Sequence, residues 1–107
     1  MERKVVVAGW GQITQPKELN GKAKDPMGLM IRSSQKAAES MSSKTILSNL
    51  DGIMVVKIVS RHYESPARQL ADKIGATPKF TKVSEIGGNS PQTLINLAGG
   101  MIARNEL

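Results

Sequence analysis

Cysteine is absent from the 107 residues, which removes disulfides, thiolate zinc sites and a cysteine nucleophile together. One histidine, His62, leaves no histidine-rich metal centre to assemble, and no metal site is expected. Aromatic residues number three, Trp10, Tyr63 and Phe80, so stacking platforms for nucleic-acid bases are scarce and no nucleic-acid partner is expected. No apolar run approaches the roughly 18–20 residues that span a bilayer. The opening MERKVVVAGW has no small-residue cleavage signature, so a cytoplasmic protein with no membrane partner is the expectation.

Fifteen Lys and Arg against nine Asp and Glu give a net charge of +6. The cations are scattered, Lys4, Lys36, Lys57, Lys82 and Arg104 among them, and no run of five or six like charges occurs. A solvated surface is the plain reading, and a patch meeting an anionic ligand is the alternative. The length admits one small domain.

What the chain does contain is a repeated alternation of strand and helix signals. Val5 to Ala8 is a continuous apolar run ending at Gly9, which predicts a strand over 3–9 buried on both faces. A polar loop follows from Gly11 to Lys24. Asp25-Pro26 then joins a capping side chain to a residue that needs no amide partner, opening a helix over 26–41 with Leu29, Met30, Ala37, Ala38 and Met41 at helical spacing. Ile53 to Val59 predicts a second buried strand. Ser65-Pro66 repeats the opening device for a helix bearing Ala67, Leu70, Ala71 and Ile74, closed by Gly75 as a left-handed cap. Phe80 to Ile86 predicts a third strand, Gly87-Gly88-Asn89 a turn, and Ser90-Pro91 a third helix with an apolar stripe of Leu94, Leu97, Ala98, Met101 and Ile102. The order βαβαβα implies an α/β fold with a mostly parallel sheet and right-handed crossovers. A fourth strand should answer the last helix, so the chain reads as the N-terminal part of something longer.

Three segments carry candidate chemistry. Gly9-Trp10-Gly11 follows a strand as a dinucleotide-binding turn does, but Thr14 stands where the third glycine belongs, and a plain tight turn is the simpler reading. His62 lies at the carboxyl end of the second strand, where open α/β sheets place ligands, although a surface histidine also satisfies the pattern. Gly87-Gly88-Asn89-Ser90-Pro91 sets a hydroxyl on a sharp strand-to-helix turn beside the positive end of a helix dipole. Ser90 is either a nucleophile, which then needs a base the sequence does not supply, or the N-cap of the third helix.

This last segment, Gly87 to Leu94 with Leu97, Ala98, Ile102 and Ala103, resembles the active-site strand-turn-helix of thiolases. The likeness extends through Val5 to Gln12, Asp25-Pro26, Leu50-Asp51-Gly52-Ile53 and Ser65-Pro66-Ala67 to Gly75. It is nearest to the acetyl-CoA acetyltransferase and sterol-carrier-type branch. The resemblance implies that residues 1–107 are a single partial domain, the start of an N-terminal thiolase-like half-domain. It further implies a transferase of lipid metabolism acting on acyl-CoA, with a coenzyme A thioester as substrate and no permanently bound cofactor. Ser90 stands at the position matching the family's acyl-accepting cysteine and is the implied catalytic residue. Gly88 and Asn89 are the implied substrate-binding residues. The family's other catalytic motifs belong to the later half, so residues 1–107 are not expected to catalyse alone. The alternative is a non-catalytic acyl-CoA-binding or scaffold subunit of the same fold. A homodimer or hetero-oligomer is implied through the region from Phe80 to Asn96.

Overall fold

The computed structural model describes residues 4–14, 25–60 and 62–107. The elements in chain order are α1 (Pro26–Ser40), a short 3-10 turn (Leu47–Asn49), β1 (Gly52–Val55), α2 (Pro66–Ile74), β2 (Phe80–Val83) and α3 (Ser90–Ala103). β1 and β2 are parallel neighbours joined through α2, in the register Gly52↔Phe80 to Val55↔Val83. The α/β class and the parallel pairing stand as the sequence predicts.

Helix starts follow the local chemistry where the cap can form. Asp25 is extended, at φ −72° and ψ 173°, and its Oδ1 accepts from the Gly28 amide at 2.9 Å, meeting one of the amides a helix start leaves without a partner. Pro26 needs no such partner. At the far end of α2, Gly75 takes the left-handed conformation at φ 77°, and the Ala76 amide reaches back to the Ala71 carbonyl at 2.9 Å.

The core lies between the two antecedent helices and one sheet face. Ile53 and Val55 point inward from β1 and meet Met27 of α1, with Ala67, Leu70 and Ala71 of α2 and Ala76 beyond it. Ala67 and Ala71, one turn apart and fully buried, let the α2 backbone approach the strands closely. Met54 points to the opposite face, where it and Val56 line a cavity of about 650 Å³ with Leu94, Ile95, Ala98 and Ile102 of α3. Of the α3 stripe only Leu94 is buried; Leu97, Ala98, Met101 and Ile102 are half-buried.

Several expectations are corrected. Residues 4–9 form no strand, and Val5, Val6 and Val7 are exposed. This segment is held instead by its glycines, because Gly9 and Gly11 lie directly against the backbone of α1 at Ser33 and Ala37. Residue 3, where that strand was to begin, and residues 15–24 of the predicted loop lie outside the described residues. The strand predicted over 53–59 stops at Val55 and that over 80–86 stops at Val83. The cause is Ser84: its amide still donates to the Val55 carbonyl at 2.9 Å, but the Lys57 amide turns to the Ser84 hydroxyl at 3.4 Å rather than to a main-chain carbonyl. A side chain therefore replaces the next rung. Ser65 precedes α2 as expected yet caps nothing with its side chain, since its left-handed backbone, φ 49° and ψ 58°, denies it the extended geometry that capping uses.

Candidate functional site

Past Val83 the chain reaches the carboxyl end of the two-stranded sheet, the edge at which open α/β sheets bind ligands. Ser84 and Ser90 are the buried polar residues among those described, 9% and 7% exposed. The Ser90 hydroxyl donates to the Glu85 carbonyl at 2.8 Å and the Ser84 hydroxyl donates to the same oxygen at 3.0 Å. The Ser90 amide closes the turn on the Gly87 carbonyl at 3.2 Å. Gly87, Gly88 and Asn89 between them are exposed.

Ser90 is the first residue of α3, and Asn89 occupies the cap position at φ −95° and ψ 4° with no side-chain cap bond. The expectation of Ser90 as N-cap is thereby corrected. Ser90 lies past the cap position as the first helical residue, and its hydroxyl donates to a carbonyl five residues earlier. Thr93 donates both its amide, in the ordinary helical bond, and its hydroxyl to the Asn89 carbonyl at 3.0 and 3.1 Å.

Two small cavities open at this edge. One of about 290 Å³ is lined by Lys82, Glu85, Ile86, Asn89, Ser90 and Thr93 among others. The other, of about 260 Å³, is lined by Lys57, Ile58, His62, Tyr63, Pro66 and Val83. Val83 borders both. His62 is exposed in the second cavity and does not hydrogen-bond to Ser90, whose hydroxyl meets a main-chain carbonyl rather than a base. Gly9-Trp10-Gly11 lies elsewhere, on α1, where the Trp10 amide donates to Ser40 Oγ at 3.1 Å. Its glycines serve close packing on that helix, and no turn is formed at these residues.

Two functional features escaped sequence reasoning. Ser84 gave only the signal of a small polar residue on a strand face shared with Phe80 and Ile86. Tyr63 gave none: its phenol donates to Asp25 Oδ2 at 2.9 Å and accepts from the Met27 amide at 3.3 Å, fastening the loop after β1 to the start of α1. Among the described residues no group of three or more His, Asp or Glu side chains is placed to hold a metal ion. No helix among them is long and apolar enough to cross a membrane.

The parallel β1-α2-β2 unit, with a glycine-rich turn leading from β2 into an apolar α3, defines a thiolase-like α/β fold. A solved structure, described as a monomeric SCP2-thiolase like protein type 1 from Mycobacterium smegmatis, superposes with a TM-score of 0.76 at 26% identity. The match covers 92% of this chain and 20% of the solved one, so the chain spans a fifth of that relative's length. No family model and no curated protein matches the sequence.

Proposed function

We propose that this chain is the N-terminal part of a thiolase-like protein that handles acyl-CoA thioesters, and that Ser90 contacts the ligand without carrying the acyl group. The fold likeness over 92% of the chain supports the family of ligand. The observation that carries the role of Ser90 is its hydroxyl, 7% exposed and committed to the Glu85 carbonyl at 2.8 Å. An alcohol lies far above a thiol in pKa and needs an adjacent base to attack a thioester. Here the neighbouring group is an acceptor that holds the proton but has no capacity to remove it.

Two versions of the function remain within this reading. In the acyltransferase version, the complete protein transfers an acyl group while Gly88 and Asn89 orient the thioester and the remaining catalytic groups come from outside residues 1–107. In the other version, the protein binds acyl-CoA as a non-catalytic or scaffold subunit. The Ser90 geometry favours the second. Assembly through Phe80 to Asn96 belongs to the same proposal, with Ile86 and Ile95 exposed at 64% and 60%. The solved relative is itself described as monomeric.

The test is intact mass and titration calorimetry on the complete protein with acetyl-CoA. The expected result is saturable binding with no acetyl adduct. An adduct that disappears in Ser90→Ala would overturn the non-covalent role, and turnover without an adduct would restore the acyltransferase version.

A further inference from the structure

The cavity of about 260 Å³ at the carboxyl edge of the sheet, lined by Lys57, Ile58, His62, Tyr63, Pro66 and Val83, has no part in the reading of Ser90. Its neighbour across Val83 sets Lys82 and Glu85 in one wall, so positive and negative groups share it. None of the residues lining the 260 Å³ cavity is acidic. Among the described residues the Lys57 ammonium and the His62 ring make no ion pair and no hydrogen bond. Lysine brings a positive charge and three donors, and even a neutral imidazole brings one N–H. The Tyr63 phenol is committed to the start of α1, donating to Asp25 Oδ2 at 2.9 Å and accepting from the Met27 amide at 3.3 Å. The loop that carries both donors is fastened at its two ends, by that phenol and by the Lys57 amide, which donates to Ser84 Oγ at 3.4 Å. A ligand here meets groups whose loop is already ordered, which lowers the cost of binding.

We infer that this cavity binds a small organic carboxylate, its charged end at Lys57 and His62 and its carbon chain against Ile58, Pro66 and Val83. None of the lining residues belongs to the turn from Gly87 to Ser90, so the site is separate from the one read above for acyl-CoA. The class of ligand follows from the two halves of the wall. Donors with no carboxylate beside them select an anion, and a charge-assisted hydrogen bond favours that anion over a neutral molecule of the same shape. The apolar half rewards a carbon chain, which inorganic phosphate lacks. The volume keeps the ligand small, because 260 Å³ falls below the roughly 300–1,000 Å³ of pockets for drug-sized molecules. The place fits as well, since the carboxyl end of the strands is where open α/β sheets bind ligands. His62 has that position from the sequence, and the fold adds Lys57 to the same wall.

Saturation-transfer NMR on the complete protein tests this with butyrate, with butyramide as the neutral molecule of the same shape and inorganic phosphate as a competitor without a chain. Butyrate is expected to bind with a Kd of roughly millimolar order, ordinary for so small a ligand. Butyramide should bind more weakly, and phosphate at equal concentration should not displace butyrate. Lys57→Gln should weaken butyrate by about two- to fivefold, the range of an exposed ion pair, and His62→Ala by a similar factor. Both side chains are exposed, so the variants keep the fold. The double variant should bind butyrate no better than butyramide. Butyramide binding as tightly as butyrate, displacement by phosphate, a double variant that binds butyrate as the wild type does, or no saturable butyrate binding to the wild type overturns the carboxylate site. None of these outcomes alters the acyl-CoA reading, which acetyl-CoA titration tests separately.

Discussion

Ser84 and Ser90 donate their hydroxyl protons to one oxygen, the carbonyl of Glu85, at 3.0 and 2.8 Å. One serine follows β2 and the other opens α3, so a single main-chain atom ties the end of the sheet to the start of the helix. Loss of either hydroxyl leaves the carbonyl with a partner; loss of both leaves it with none. Ser84→Ala and Ser90→Ala should each cost about 1 kcal/mol of stability. The double variant should exceed their sum by roughly 0.5–1 kcal/mol, the coupling expected of residues that share a partner. Urea denaturation of the four proteins in the cycle measures this, and strict additivity would show that the carbonyl does not link them.

Gly9 and Gly11 predict a contrast with Gly88. A side chain at either of the first two would collide with α1, at Ala37 and at the Ser33 carbonyl or Met41, whereas nothing lies within 4 Å of a Cβ at Gly88. Gly9→Ala and Gly11→Ala should destabilise by about 1–3 kcal/mol, as overpacking does. Gly88→Ala should be neutral or stabilising by up to about 1 kcal/mol through the unfolded chain. Thermal melts of the three variants distinguish the positions, and equal effects at all three would remove the close-packing role assigned to the N-terminal segment.

Asp25 works in two directions, capping Gly28 with Oδ1 and receiving the Tyr63 phenol on Oδ2. Tyr63→Phe should cost about 1 kcal/mol, the value of a modest hydrogen bond, and leave the cap intact. Asp25→Ala should cost more, because roughly 1 kcal/mol of capping is lost as well. Hydrogen exchange locates the difference: Asp25→Ala exposes the first turn of α1, and Tyr63→Phe does not.

Ser65 holds a left-handed backbone at φ 49°, makes no side-chain cap bond and is exposed. Its carbonyl still accepts the Gln69 amide at 3.0 Å, so the conformation is part of the α2 start. Ser65→Gly should raise stability by about 0.5–1 kcal/mol, the Cβ penalty of the left-handed region less the entropy that glycine adds to the unfolded chain. A lower melting temperature in this variant would mean that the serine side chain contributes more than its backbone strain takes away.

The helices and their order were legible because their signals are local. Pro26, Pro66 and Pro91 mark the openings, Gly75 marks a close, and apolar spacing marks the faces, so each decision needs only residues within a turn or two. The turn from Gly87 to Ser90 was legible as a turn for the same reason. Strand extents were not, because a rung exists only if a partner supplies its carbonyl, and Ser84 supplied a hydroxyl instead. The valine run after Lys4 has strand-forming residues yet no pairing among the described residues, since periodicity states a preference and cannot provide a neighbour.

By itself, then, the sequence determined the α/β alternation, the parallel crossover and the glycine-rich turn before α3, all consequences of backbone chemistry within short windows. Only the tertiary structure decided that Tyr63 meets Asp25 across 38 positions, that Gly9 and Gly11 pack on α1, and that the Ser90 proton points inward to Glu85. A hydroxyl rotates freely until the fold puts an acceptor beside it, and which acceptor that is depends on how the ends of β1, β2 and α3 come together.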